Sequence, residues 1–266
     1  MRNSDVPARG RTVLVTGVGR RQGIGIAVTR RLLQDETTRV FAHSCDGYDA
    51  TEPWGAGTPG ARKVLAELSI ADDRLGHLDI DFVDPAAPAA LFDAAEFRLG
   101  AIDSLVVNHA RSQVGDLDSM TAESLDLTWA VNVRASLLLV QEFVRRYVAH
   151  PDGGRVVLFT SGQDEGPMPT EIPYAVSKGA IASITSTLAD SVIERGITVN
   201  TINPGPTDTG WASADLDEFV SRHMPRGRWN SPDEAAAVVA MLLSPDSGSI
   251  TGQVIGAEGG FRRFTP

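Results

Sequence analysis

VLVTGVGRRQGIGIAVTRRLL, residues 13–33, decides the fold. Its first four residues, VLVT, form a short apolar run that reads as a buried strand, and IGIAVTRRLL at 24–33 has the spacing of a helix. Between them, Thr16-Gly17 opens a turn that ends in Gly23-Ile24-Gly25. Glycines let the backbone approach phosphates, and the unpaired N–H groups of a helix N-terminus supply donors, so a pyrophosphate can sit there. An ordinary glycine-rich turn is the alternative, because Gln22 breaks the usual G-x-G-x-x-G pattern.

Working outward, six further apolar runs read as strands: 39–43, 77–82, 104–108, 155–160, 197–202 and 252–256. Segments with helical spacing alternate with them at 85–99, 121–148, 174–195 and 231–244. Strands that are apolar on both faces and separated by helices imply a parallel sheet covered on both sides. The expectation is an α/β, doubly wound parallel sheet of about seven strands with helices on both faces, in a single domain over 1–266. Ser231-Pro232 followed by Glu234 predicts a capping box. DGYDATEPWGAGTPG at 46–60 is long for a strand-to-helix loop. Its glycines and its Pro53 and Pro59 predict a turn-rich path without regular structure, anchored by Tyr48 and Trp54. It leaves the carboxyl end of the second strand and is expected to cover part of the ligand crevice.

The 266 residues are 42% hydrophobic and 22% charged, which fits a folded chain with a substantial core. Cys45 stands alone, so neither an internal disulfide nor a thiolate zinc site can form, and the histidines show no ligand spacing. No metal is expected. A net charge of −10 argues against general nucleic-acid or anionic-membrane binding. With no apolar run of membrane-spanning length and no signal-peptide core, the expectation is a cytoplasmic protein.

Tyr174 and Lys178 open the long helix beginning near 174. Residues four apart share a face, so phenol and ammonium point into one cleft. Lysine is itself informative here, because only Lys63 and Lys178 occur among 24 basic side chains. The residues together resemble the short-chain dehydrogenase/reductase family from about 11 to 262, in the flavour of its 3-oxoacyl-thioester-reductase-like branch. The resemblance rests on the Thr-Gly/Gly-x-Gly loop, Asp81, Asn108-His109-Ala110, Asn132, Ser161 thirteen residues before Tyr174, Lys178, and the run from Asn203 to Thr209.

That resemblance implies a Rossmann-type fold and a hydride transfer between a nicotinamide and a ketone or secondary alcohol. Reduction leaves an alkoxide, which needs a proton donor and a second hydrogen bond. Tyr174 would donate, Ser161 would orient the carbonyl, Lys178 would lower the phenol's pKa and hold ribose hydroxyls, and Asn132 would anchor a relay water. Gly17, Gly23, Ile24 and Gly25 would approach the phosphates. Asp81 would accept from the adenine amino group, with Phe82 also at the cofactor, and Asn108 would stabilise the central sheet beside the cofactor, near Ala110. The Pro204-Gly205 turn would meet the carboxamide, Thr207 would bond to the carboxamide or a phosphate, and the substrate would be held by a variable segment at about 205–229 with Trp211, Phe219, His223, Met224 and Trp229.

Two departures matter. Five residues separate Gly17 from Gly23, two more than the family usually has, and Arg111 stands where the family has glycine. Ser44, aligned with the position where NAD-preferring members carry an acid, does not repel a 2′-phosphate, and Arg20 and Arg21 could bind one. NADP(H) is therefore the expected cofactor, with Asp46 as the counterargument and an NAD-linked alcohol dehydrogenase as the alternative. An inactive nucleotide-binding regulator is the rival of another class. A small-molecule carbonyl or alcohol and a homo-oligomeric partner, tetramer or dimer, complete the expectations.

Overall fold

Seven short strands form one parallel sheet in a computed structural model that describes residues 10–52, 60–112, 114–210 and 214–262. They are β1 (Thr12–Val15), β2 (Arg39–Ser44), β3 (Leu75–Asp79), β4 (Ser104–Val107), β5 (Gly154–Phe159), β6 (Ile197–Asn203) and β7 (Val254–Gly256), in the order β3-β2-β1-β4-β5-β6-β7. The chain winds outward from β1 to β3, then returns to place β4 on the other side of β1. The ligand crevice of such a sheet lies at that reversal, beyond the carboxyl ends of the strands.

Alternation along each strand feeds two cores. Leu14, Leu105, Val156 and Leu158 pack beneath α4 (Ala87–Leu99), α6 (Ala135–Arg146) and α7 (Ile172–Val192). Val13, Val15, Val106 and Val157 pack beneath α1 (Ile24–Leu32), α3 (Ala61–Ala66) and α9 (Pro232–Leu243). Both faces are apolar because both are covered.

Two elements differ from the sequence reading. The expected helix over 121–148 is α5 (Ala122–Trp129), a π turn over Ala130–Arg134, and then α6. A π turn widens the ring of one backbone hydrogen bond by a residue and often marks a functional site. Periodicity alone does not reveal it. The 46–60 stretch opens with a helical turn, α2 (Asp46–Asp49), rather than an irregular path; Pro53, Trp54 and Pro59 lie outside the described residues. The 205–229 segment contains α8 (Ala214–His223), while Trp211 also lies outside the described residues.

The capping box at 231–234 is present, with the Ser231 N–H donating to Glu234 Oε2 at 2.8 Å. Glu234 also accepts from Arg226 at 2.7 Å and from both terminal nitrogens of Arg228 at 3.0 Å, tying the approach to α9 to its first turn. Hydrogen bonds from Arg228 and the Ser231 N–H hold its carboxyl down to about 2, against an ordinary 4.5. A depressed acid stabilises the fold fully above its unfolded pKa and loses that contribution as pH falls through its folded one. Thermal melts from pH 6 to 2 are therefore expected to fall between 4.5 and 2, less steeply in Glu234→Gln. Parallel curves for the two proteins would refute this.

Candidate active site

The crevice is a cleft of about 600 Å³ that runs from the glycine loop to α7 and α8. Its floor is the junction of β1 and β4. Gly17 has φ +75°, and a Cβ there would lie 2.8 Å from both Asn108 Nδ2 and His109 Cα. Asn108 donates to the carbonyls of Thr16 and Gly17 at 3.2 and 3.1 Å, fastening the two strand ends together. A Cβ on Gly25 would lie 2.2 Å from the Gly17 carbonyl, so only glycine lets α1 start this close to the turn.

The lengthened loop sends one of its two arginines into the cleft and the other to the surface. The Gly23 N–H closes a turn onto the Arg20 carbonyl at 3.0 Å. Arg20 points inward and reaches Thr209, its Nη2 3.3 Å from the hydroxyl. Arg21 points out, is exposed, and forms an ion pair with Glu67 beyond α3, so the expected pair of cleft arginines reduces to one. Ser44 also turns away: it is fully buried and donates to Asp79 at 2.7 Å. Because side chains alternate along a strand, His43 and Cys45 face the cleft instead.

His43 is a site residue the sequence reading missed. Its Nδ1 accepts the Gly17 N–H at 3.3 Å while Nε2 faces the Ile80 carbonyl at 2.9 Å, which requires the neutral Nε2–H tautomer. Burial pushes its pKa down to about 4. His109 is likewise buried and neutral, between the Thr16 hydroxyl at 2.8 Å and the Val131 carbonyl at 2.9 Å. Phe82 lies between the two, stacked on His43 at 4.1 Å and tilted against His109 at 4.5 Å. This end of the cleft thus has an uncharged aromatic wall, with Asp81 and Ala110 beside it.

At the other end, Ser161 follows β5 and Tyr174 lies in the first turn of α7; both line the cleft. Burial pushes the Tyr174 phenol up to about 12, outweighing the neighbouring Ser161 hydroxyl, which favours the ionised form. Lys178 is buried beneath the phenol, with Nζ 5.7 Å from the ring centroid and donating to the Phe159 carbonyl at 3.1 Å. Burial lowers it to about 8. The expected lowering of the phenol by the ammonium is therefore not the balance this geometry strikes: desolvation of both groups dominates.

Asn132 is also placed differently from the expectation. It sits in the π turn, buried, with Oδ1 accepting the Arg111 N–H at 2.7 Å and Nδ2 donating to the Arg111 carbonyl at 3.0 Å and Ser177 Oγ at 2.9 Å. Its amide holds the β4–α5 loop in place, and it does not line the cavity.

Pro204, Gly205 and Thr207 follow β6 and line the cleft, and the Thr207 hydroxyl donates back to the Pro204 and Gly205 carbonyls at 3.2 Å each. From the 205–229 segment, Phe219 and Trp229 line the apolar wall together with Phe261, whereas His223 stacks on Phe219 at 4.2 Å outside the cavity and Met224 is buried behind it. Among the described residues no cluster could hold a metal ion, and no helix is long and apolar enough to cross a membrane.

A parallel sheet with this order, a glycine loop at its reversal and a Ser–Tyr–Lys group beyond β5 define a dinucleotide-dependent oxidoreductase architecture. A family profile described as enoyl-(acyl carrier protein) reductase matches residues 17–262. The uncharacterized oxidoreductase YjdA of Bacillus subtilis is 37% identical over 251 residues, 94% of this chain and 96% of that one. A short-chain dehydrogenase from Burkholderia cenocepacia J2315, solved in complex with NADP, superposes with a TM-score of 0.81 at 31% identity, covering 95% of this chain and 98% of that one. A blue fluorescent protein from a metagenomic library, solved in complex with NADPH, superposes with a TM-score of 0.78 at 29% identity, covering 95% and 98%. The chain belongs to the short-chain dehydrogenase/reductase family.

Proposed function

We propose that this chain is an NADP(H)-dependent carbonyl reductase or alcohol dehydrogenase acting on a ketone or secondary alcohol. The observation that carries the reading is the facing pair of the Ser161 hydroxyl and Tyr174 phenol in the cleft, above a buried Lys178. A nicotinamide, when bound, supplies or takes the hydride. Tyr174, raised to about 12, stays protonated across the physiological range and so serves as the proton donor in reduction. Ser161 holds the substrate oxygen by a second hydrogen bond, and the Lys178 ammonium offsets the charge left on the phenolate.

The cleft fits a dinucleotide because its backbone comes close where phosphates must: neither Gly17 nor Gly25 has room for a side chain. Gly23 and Ile24 at the start of α1 would take the phosphates, Asp81 and Phe82 the adenine, and Pro204, Gly205 and Thr207 the nicotinamide end. A regulator without turnover would have no use for all three of Ser161, Tyr174 and Lys178, which favours the enzyme. NADP(H) is supported by the solved relatives that carry it and by Arg20 in the cleft.

Two experiments test this reading. Screening a carbonyl panel for consumption of NADPH tests the activity, and no consumption across ketones of varied size would sink it. The dissociation constant for NADPH should rise about tenfold in Arg20→Ala, the loss of one charge-assisted contact, and stay within about twofold in Arg21→Ala. Equal effects from the two arginines, or tighter binding of NADH than of NADPH by wild type, would refute the cofactor assignment.

A further inference from the structure

The segment between β2 and α3 brings α2 over the cleft, and two of its residues reach inside. Tyr48 crosses to the far wall, where its hydroxyl accepts the Ser112 N–H at 2.9 Å and lies 3.3 Å from the Ser112 carbonyl, to which it donates. The Arg111 guanidinium covers the ring at 5.2 Å from its centroid. One tyrosine thus ties the end of β2 to the loop after β4, and Asp49 beside it is held against the glycine loop. A Cβ on Gly19 would lie 1.8 Å from Asp49 Oδ2, so the carboxylate leans directly on that backbone.

Asp49 lines the cavity, and none of the described residues donates a hydrogen bond to its carboxylate. Arg20 is its attractive neighbour, whereas Asp46, Asp79 and Glu52 repel it, and burial pushes the carboxyl up to about 6. Its carboxylate is therefore an acceptor open to a hydroxyl donor in the cleft. Open α/β sheets of this kind place an acidic acceptor for ribose hydroxyls near the end of the second strand. Here that end offers Ser44, turned to Asp79, and, facing the cleft, the neutral His43 and the Cys45 thiol, none of them a carboxylate. Asp49 brings a carboxylate back into the cleft just beyond the strand.

We propose that Asp49, seated by Tyr48, is a specificity-determining residue for the nicotinamide dinucleotide: its carboxylate accepts from the adenosine ribose hydroxyls and repels a 2′-phosphate, in opposition to Arg20. Preference for NADP(H) is then the difference between two opposed charges in one wall of the cleft, and it is restrained by Asp49. This inference rests on the dinucleotide-binding reading above.

The test is binding alone, without turnover: dissociation constants for NADPH and NADH by isothermal titration in wild type, Asp49→Asn and Asp46→Asn. Asp46 serves as the control because its carboxylate accepts the Ala61 N–H at 3.1 Å, facing α3. Taking the ratio of the two constants within each variant cancels any general loss of folded protein. The preference for NADPH over NADH is expected to rise at least about fivefold in Asp49→Asn and to stay within about twofold in Asp46→Asn. An unchanged ratio in Asp49→Asn, or the same shift from Asp46→Asn, overturns the proposal. Failure of wild type to bind either dinucleotide would instead refute the cofactor reading and this inference with it.

Discussion

Tyr174→Phe is expected to lower carbonyl reduction by about 10²–10⁴-fold while the dissociation constant for the dinucleotide moves less than about twofold. The substitution removes one proton donor and almost no volume, and the ring stays packed in the first turn of α7. Neither the glycine loop nor the Asn108 clasp of β1 to β4 depends on the phenol. Steady-state rates beside isothermal titration separate the two effects. A phenylalanine variant retaining more than about a tenth of wild-type activity, a barrier change below ~1.4 kcal/mol, would reject the donor role.

Lys178→Ala is expected to damage both turnover and binding. Its ammonium is the cation beneath the phenol and donates to the Phe159 carbonyl at the end of β5, so its loss leaves a developing phenolate without a counter-charge and a buried acceptor without a donor. Its pKa gives the pH dependence a sign. Below about 8 the lysine is protonated and stabilises the phenolate formed as Tyr174 gives up its proton; above it the charge is gone. Reduction by wild type should therefore fall as pH rises through about 8. Lys178→Ala should be slow throughout, without that falling limb. A flat wild-type profile from pH 6 to 10, or the same limb in the alanine variant, would refute the assignment.

Strand positions were legible to within a few residues because a parallel sheet covered on both faces leaves runs such as RVVLFT in the sequence, and the capping box at Ser231 and Glu234 was legible because its chemistry is local. What failed was what depends on register or on distant partners. Assigning the cleft-facing position on β2 to Ser44 rather than His43 is a one-residue slip, and a period of two turns every side chain to the other face. Arg21 left the cleft because Glu67, far along the chain, pairs with it. Asn132 was read as a water anchor, yet a side chain that both donates to and accepts from the Arg111 backbone can be recognised only once the π turn is seen. The balance at Tyr174 needed burial, which spacing four residues from a lysine does not supply. Of the 46–60 segment, expected to cover part of the crevice, Tyr48 and Asp49 stand in the cleft wall, while the other expected anchor, Trp54, lies outside the described residues.

The measurement that bears most directly on the central claim is deuterium transfer from NADPH labelled at the nicotinamide 4-position to a panel of ketones, read by mass spectrometry of the alcohol products, with wild type and Tyr174→Phe run side by side. Wild type should place one deuterium on the carbinol carbon of at least one product, and the phenylalanine variant should leave that product about 10²–10⁴-fold slower to form. Dinucleotide binding with no deuterium in any product, or equal transfer by the two proteins, would contradict it.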